Sequence, residues 1–443
     1  MLLFKQHSVL TKLTPTIMKK IKKYFLFVSF VLFSCHQEKK DVVQLQDLNP
    51  YLQNQQDQAL QKIHQNKKFW EEKLSSNPNQ FPYAVKIAGL ETQLFSKTGN
   101  IQHLKNAEKQ LTKAVTASGR KKSSYLRSLA RNYISQHQFK KALDLLLQAE
   151  SNGDQKQETI KMLFDVYLEL GDDKNAEIYL GKIKDKRSFD YLIRLAKWED
   201  HHGNLDATIA YMEEALKTTQ QKKHTDLEQW SLTNLADYYG HHGEIEKSYN
   251  YYLKALEKNP NNYYALRKIA WISYANDKDP KEANTILTQV YTKYQGLDID
   301  LLAYEIAKYQ NQNSEELLAK YWNEVQNSAY GEMYNMYNFD LLIAEKEYQK
   351  AYQIALKEVN NRPTDAAYSM LALAKAHVDT PDKGMEILKE HNVVESSEPK
   401  VLLRVAKIYS LKQHKDALEI IRHQLQSASF ELGPLAMNEL NQL

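Results

Sequence analysis

The chain has 443 residues, of which 13 are glycine and 10 are proline, less than half of the average usage of roughly 7% and 5%. Folds that depend on glycine-rich phosphate loops or on many tight turns are therefore disfavoured, and a long, mostly helical chain remains. The net charge of +4 is unevenly placed, because residues 1–34 hold six lysines and no acid. The remainder carries 53 basic and 55 acidic side chains, which gives no electrostatic basis for nucleic-acid binding.

Residues 1–34 have the order of a bacterial signal peptide. A basic stretch from Met18 to Lys23 precedes ten mostly apolar residues, Tyr24 to Phe33. As a helix this apolar run would span about 15 Å, half of a bilayer's hydrocarbon core. A run of that length is typical of a signal-peptide core and too short for a transmembrane helix. We expect translation to start at Met18; a buried N-terminal helix is the alternative.

The segment from Leu32 to Cys35 resembles the bacterial lipobox, in which a small residue precedes the lipidated cysteine, although Phe33 is larger than the usual residue there. The resemblance implies cleavage before Cys35, acylation of Cys35 and export to the cell envelope, with the outer membrane as the expected location. The side of the membrane that the body faces stays open. Cys35 is the only cysteine, so neither an intramolecular disulfide nor a thiolate zinc site is expected. The polar residues 35–55 are predicted to form a tether.

Residues 81–426 repeat a two-helix pattern about every 34 residues. At Pro78, Pro260 and Pro363 the apolar end of one predicted helix runs into a proline, and a new helix follows. One position of the first predicted helix recurs at intervals of 32 to 40 residues and is mostly alanine. Its nine occurrences are Ala130, Phe164, Ala196, Ala236, Ala270, Ala307, Phe339, Ala374 and Ala406.

The segment from Leu235 to Pro260 resembles the tetratricopeptide repeat (TPR), a helix–turn–helix unit of 34 residues. Ala236 supplies the small residue that lets the two helices pack closely. The resemblance covers about residues 80–425 and implies an all-α solenoid, a right-handed superhelix of about nine to ten repeats. Residues 56–80 are predicted as an N-terminal capping helix and residues 427–443 as a C-terminal cap.

The sequence contains no recognisable catalytic or nucleotide-binding motif, so we expect neither enzyme activity nor a cofactor. Two histidine pairs, His201-His202 and His241-His242, fall at the turns of adjacent repeats. Helix packing would place the two pairs about 10 Å apart, too far for a single zinc ion. We therefore expect no metal site there.

In TPR proteins the first helix of each repeat lines the concave groove. Counted from the small residue, positions −6, −3, +1 and +4 face inward, and three adjacent repeats place aromatic rings and an arginine there. Such residues dominate recognition sites, although rings at these positions also fill gaps between helices. The predicted groove residues are Trp230, Tyr264, Arg267, Trp271, Tyr274 and Tyr304.

Earlier repeats place four basic residues at the same inward positions. The set is similar to the clamp with which some TPR domains bind a peptide's terminal carboxylate. The paired asparagines of that clamp are missing, so this activity is not expected. The four residues are Arg127, Arg131, Lys161 and Lys197.

These features together predict a non-catalytic, membrane-anchored lipoprotein. It would act as a protein–protein interaction scaffold in the bacterial cell envelope and bind a peptide or partner subunit in its groove. Its expected contacts are this partner and, through Cys35, the membrane; its oligomeric state stays open. The alternative is an outer-membrane lipoprotein that captures glycans on an aromatic platform.

Overall fold

The computed structural model describes residues 41–53, 57–221, 223 and 225–443. The signal peptide, Cys35 and the first residues of the expected tether lie outside the described residues. From Val42 to Leu443 the chain forms one unit, and every regular element described in it is helical. Among these described helices, none combines the length and the apolar character that crossing a bilayer requires.

The described residues form 23 α-helices. In chain order they are α1 (Leu45–Leu52), α2 (Gln58–Ser76), α3 (Phe81–Thr98), α4 (Ile101–Ala117), α5 (Ser123–Ser135), α6 (Phe139–Asn152), α7 (Lys156–Glu169), α8 (Asp173–Lys182), α9 (Phe189–His201), α10 (Leu205–Gln221), α11 (Thr225–His241), α12 (Ile245–Lys258), α13 (Tyr263–Ile272), α14 (Pro280–Tyr291), α15 (Leu297–Tyr309), α16 (Glu315–Val325), α17 (Asn335–Ala344), α18 (Tyr348–Asn361), α19 (Asp365–Val378), α20 (Pro381–Glu390), α21 (Pro399–Leu411), α22 (Lys415–Gln426) and α23 (Ser429–Gln442). A π-helical turn, Ser273–Asp277, extends α13.

Helices α3 to α22 form ten consecutive pairs, each an odd-numbered helix followed by an even-numbered one. Short turns join the two helices of a pair, which therefore pack as antiparallel neighbours. All nine positions of the recurring series lie on odd-numbered helices, and none is more than 5% exposed. The predicted all-α, TPR-type solenoid is confirmed. Phe164 and Phe339, which replace the small residue in two pairs, are fully buried.

Successive turns of the solenoid touch each other. The Gln295 amide donates to the Thr98 carbonyl at 2.9 Å, and the Asn361 side chain donates to the His137 carbonyl at 3.0 Å. Arg362 lies 3.4 Å from the Glu169 carboxylate. Each contact joins residues about 190 to 225 positions apart, so the chain returns to itself after about six helix pairs.

The described part of the predicted tether does not behave as a tether. The amides of Val42 and Val43 donate to the Asp277 carboxylate at 3.0 and 2.9 Å. Val43 and Leu48 are at most 1% exposed, and Asp47 accepts from the Tyr249 hydroxyl at 3.1 Å. The tether prediction is wrong for residues 42–53 because their apolar side chains recur at helical spacing and pack onto the solenoid.

The expected capping segments are both helical. Residues 56–80 contain α2, whose N-terminus is capped by the Asp57 carboxylate accepting from the Leu60 amide at 2.9 Å. Residues 427–443 contain α23, which kinks at Gly433. Both helices lie inside these ranges, and α23 also contacts α15 and the π-helical turn, far from the last pair of helices in sequence.

The contact between turns requires glycine at position 99, where φ is +72°. A Cβ at Gly99 would lie 2.5 Å from the Gly296 amide nitrogen, whereas one at Gly153, with φ +77°, would meet no described atom within 4 Å. Alanine in this conformation costs about 1–2 kcal/mol. We expect Gly153→Ala to lower the free energy of unfolding by about that amount, and Gly99→Ala by about 3 kcal/mol.

Thermal unfolding followed by circular dichroism compares the two variants. Equal falls in melting temperature would show that the turns of the solenoid do not depend on their contact at Gly99.

Candidate functional site

A cavity of about 860 Å³ lies on the inner side of the helix pairs between α11 and α21. First helices of the pairs supply most of its wall, because the second helices pack outside them. The C-terminal helix α23 forms the remaining side. The cavity is within the roughly 300–1,000 Å³ typical of ligand pockets. It is the candidate functional site.

The six predicted groove residues divide into three groups. Arg267, Trp271 and Tyr304 line the cavity. Trp230 and Tyr264 are 41% and 43% exposed and do not belong to the lining itself. The sixth residue, the fully buried Tyr274, lies in the core.

Helix α23 covers Trp271. The indole N–H of Trp271 donates to the Phe430 carbonyl at 3.1 Å. The Gly433 backbone passes so close that a Cβ at this position would lie 2.5 Å from the edge of the indole ring. Gly433 has φ 80° and ψ 167°, a conformation essentially restricted to glycine, and Pro434 follows it. This kink directs the C-terminal residues into the solenoid.

The placement of Tyr274 corrects one prediction. Its side chain is fully buried, with ring centroids 5.7 Å from Trp271 and 5.4 Å from Tyr309. The expectation that Tyr274 faces an open groove is therefore wrong. The π-helical turn that begins at Ser273 shifts the register, because each π turn adds a residue, and so the +4 position turns into the core.

Tyr304 is also largely packed. It is 7% exposed and belongs to a core cluster with Ile101 and Leu104 of the first helix pair. Its hydroxyl accepts a hydrogen bond from the Lys308 ammonium at 3.0 Å. Contact between solenoid turns thus uses most of this side chain, and the rest lines the cavity.

A polar network joins α11, α12 and α13 around Asp237. The hydroxyls of Tyr264 and Tyr252 donate to its carboxylate at 2.5 and 2.6 Å, and the Lys268 ammonium lies 2.8 Å away. Burial alone would raise the pKa of Asp237, but Lys268 and the two hydroxyls hold it below its usual value. The network orients the Tyr264 ring with the Arg267 guanidinium 5.3 Å from its centroid.

A second ion pair joins α17 and α21. The Arg404 guanidinium forms two hydrogen bonds with Asp340, at 3.0 and 2.9 Å, and a third with the Ser369 hydroxyl at 3.2 Å. Burial favours the neutral acid, but the facing Arg404 holds the pKa of Asp340 below its usual value. The Arg404 side chain is 2% exposed and that of Asp340 is 39% exposed, so removing Asp340 would leave a buried guanidinium uncompensated.

The sequence analysis did not name Tyr337, Lys400 and Lys407, which also line the cavity. Tyr337 is 44% exposed, with the Lys400 ammonium 5.2 Å from its ring centroid, and Lys407 pairs with Glu439 of α23 at 2.8 Å. The inward-position rule finds two of them, because Lys400 and Lys407 occupy positions −6 and +1 from Ala406. Tyr337 sits at −2 from Phe339 and could not be found by that rule.

The basic residues of the earlier repeats are largely engaged within the chain. Arg127 donates to the Asp154 carbonyl, Thr159 and Gln155; Lys161 pairs with Asp190 at 2.6 Å and Lys197 with Glu169 at 2.9 Å. Arg131 has one long contact, 3.9 Å from the Met162 sulfur. These contacts hold consecutive first helices together.

The histidine pairs contact acids of the preceding repeat. His201 lies 2.9 Å from the Asp173 carboxylate, and His242 lies 3.0 Å from that of Asp206. Across the described residues, no group of three or more histidine, cysteine, aspartate or glutamate side chains is arranged to hold a metal ion.

No protein-family model matches the sequence, and no curated protein does. Among solved structures, the human IFIT1 dimer with PPP-AAAA is 12% identical, with a TM-score of 0.46 over 71% of this chain and 72% of that one. A signal transduction ATPase with a tetratricopeptide repeat sensor from Pyrococcus horikoshii is 17% identical, with a TM-score of 0.40 over 81% and 55%. The pilF protein of Pseudomonas aeruginosa is 16% identical, with a TM-score of 0.34 over 48% of this chain and 96% of that one.

Seating of α23 in the solenoid should depend on Gly433. A side chain there would collide with Trp271 and strain the backbone. We expect Gly433→Ala to detach α23, so that its amides exchange hydrogen at least about tenfold faster. The matched control is Gly243→Ala, with φ +84° and no described atom within 4 Å of a Cβ. Unchanged exchange in α23 would contradict the assignment of the kink.

Glu305 gives the cavity a pH dependence. Burial raises the pKa of Glu305 from 4.5 to about 7, although Lys400 and the Tyr274 hydroxyl limit the rise. A raised pKa means that the folded state holds this proton more tightly than the unfolded state, so stability falls as pH increases from about 4.5 to 7. We expect Glu305→Gln to raise the free energy of unfolding at pH 8, by up to about 3 kcal/mol, and to have little effect at pH 4.5.

Thermal unfolding at the two pH values measures this difference. The control is Glu316→Gln, at an exposed position on α16. An equal gain for Glu305→Gln at both pH values would show that the carboxyl does not titrate in the folded protein.

Proposed function

We propose that the protein is a non-catalytic TPR lipoprotein, anchored to a membrane of the bacterial cell envelope through Cys35, which binds a segment of a protein partner in its central cavity. The outer membrane is the proposed location. The fold supports this proposal because a helical solenoid presents a long inner wall on which side chains from several repeats meet.

One observation carries the binding proposal. Tyr264 and Tyr337 expose 43% and 44% of their surfaces although both sit among buried first helices. Each ring has a cation near its face: Arg267 at 5.3 Å from Tyr264 and Lys400 at 5.2 Å from Tyr337. Fixed aromatic rings beside cations supply large contact area with little loss of side-chain entropy. Such surfaces are typical of recognition sites.

The burial of three predicted aromatic rings argues against the glycan alternative. Stacking of sugars requires open ring faces, but Trp271 is covered by α23, and Tyr274 and Tyr304 are 0% and 7% exposed. The two open tyrosines and Trp230 belong to three different helices. The arrangement therefore favours a partner that contacts several helices at once.

The test compares two full-length double variants as baits for proteins from native membranes. Tyr264→Ala with Tyr337→Ala removes one open ring that hydrogen-bonds to the lining residue Asp237 and one open ring of the lining itself. The control, Phe69→Ala with Ile420→Ala, removes two exposed apolar side chains on α2 and α22. They are 49% and 69% exposed. We expect the first pair to lose a partner that the unmodified chain and the second pair retain.

A partner held equally by all three baits would place the interface outside the cavity and contradict the proposal. The anchor is tested separately, because Cys35→Ser should move the protein from the membrane fraction to the soluble fraction.

A further inference from the structure

The segment 42–53, called the strap from here on, is held by the last residue of the π-helical turn. The Val42 and Val43 amides donate to the two carboxylate oxygens of Asp277 at 3.0 and 2.9 Å. The Asn276 side chain donates to the same carboxylate at 2.7 Å. The strap therefore supplies two of the donors that fix the end of the turn.

The same turn also contacts α23, the helix that covers the cavity. Just before the turn, the Trp271 indole donates to the Phe430 carbonyl at 3.1 Å. Phe430 packs against a buried cluster that contains Tyr274 of the turn together with Val43 and Leu48 of the strap. One close-packed core thus joins the strap, the π turn and α23, and such cores transmit displacement.

The shape of the π turn depends on contacts from outside it. The Ser273 carbonyl accepts from the Asp279 amide at 2.9 Å, and the Ser273 hydroxyl donates to the Asp279 carbonyl at 3.1 Å. Lys278, which ends the turn, has a φ of +60°, a left-handed conformation that is unfavourable for a residue with a Cβ. Such backbone persists where surrounding contacts hold it. Because the strap and α23 both supply these contacts, loss of one weakens the support of the other.

We propose that the strap controls the cover of the cavity. While residues 42–53 are docked, the π turn holds Trp271 where α23 seats on it, and the inner wall stays covered. Release of the strap loosens the turn, frees α23 and opens the wall. The inference goes beyond the proposed function, because it concerns access to the cavity whatever the cavity binds.

Hydrogen exchange of the full-length chain, followed by mass spectrometry, tests the coupling with two variants. Leu48→Ala removes a fully buried side chain from the strap and leaves every residue of the π turn in place. Asp277→Ala removes the carboxylate that accepts from the strap. We expect the amides of α23 to exchange at least about fivefold faster in both variants than in the unmodified chain.

The matched control is Leu146→Ala. It truncates another fully buried leucine, on α6, in a core cluster to which neither the strap nor α23 contributes. Exchange in α23 should be unchanged in this variant. If the control accelerates it as much as the strap variants do, α23 opens only when the whole chain unfolds, and the proposal is wrong.

The coupling must also act in the opposite direction, because coupling free energies are reciprocal. Gly433→Ala changes only α23, yet we expect it to accelerate exchange at residues 45–52, whereas Gly243→Ala should not. Faster exchange in the strap alone for Leu48→Ala, or an unaffected strap in Gly433→Ala, would overturn the proposal. These rates are measured without a partner or a membrane, so either result leaves the proposed binding to its own test.

Discussion

Close approach of two helices at one small side chain is the constraint on which the rest of this structure depends. Ala236, Ala270 and five further alanines of the recurring series are buried, and Phe164 and Phe339 take this position in two other pairs. Helices that meet at alanine bring their backbones near each other. Repetition of that geometry bends the array, and the bend brings helices from distant parts of the sequence around one cavity.

Local rules of the sequence were enough to predict the array but not its interior. The spacing of small residues and the prolines that end helices lie within a few turns of each other in sequence, and the recurring positions are buried as predicted. The placements of α23 and of residues 42–53 depend on contacts between residues about 160 to 240 positions apart, such as Trp271 with Phe430 and Val42 with Asp277. No periodicity in one sequence encodes such distances.

Two errors show where local reasoning ends. Tyr274 satisfies the inward rule, yet a π-helical turn starting at Ser273 rotates its ring into the core. Residues 35–55 were treated as one polar segment, yet Val43 and Leu48 within it are buried. In both cases the sequence pattern described the segment as a whole, but it did not determine which way each side chain points. Trp230 and Tyr264 are exposed but lie outside the cavity lining.

Contact between successive turns also determines how the protein responds to force. A solenoid with separated turns extends like a spring, because each repeat touches only its neighbours. Here extension would first break the contacts of Thr98 with Gln295 and of Glu169 with Arg362. The unit is therefore a stiff mechanical element that transmits a pull along its length with little stretch. Its repeats should also unfold together rather than one after another.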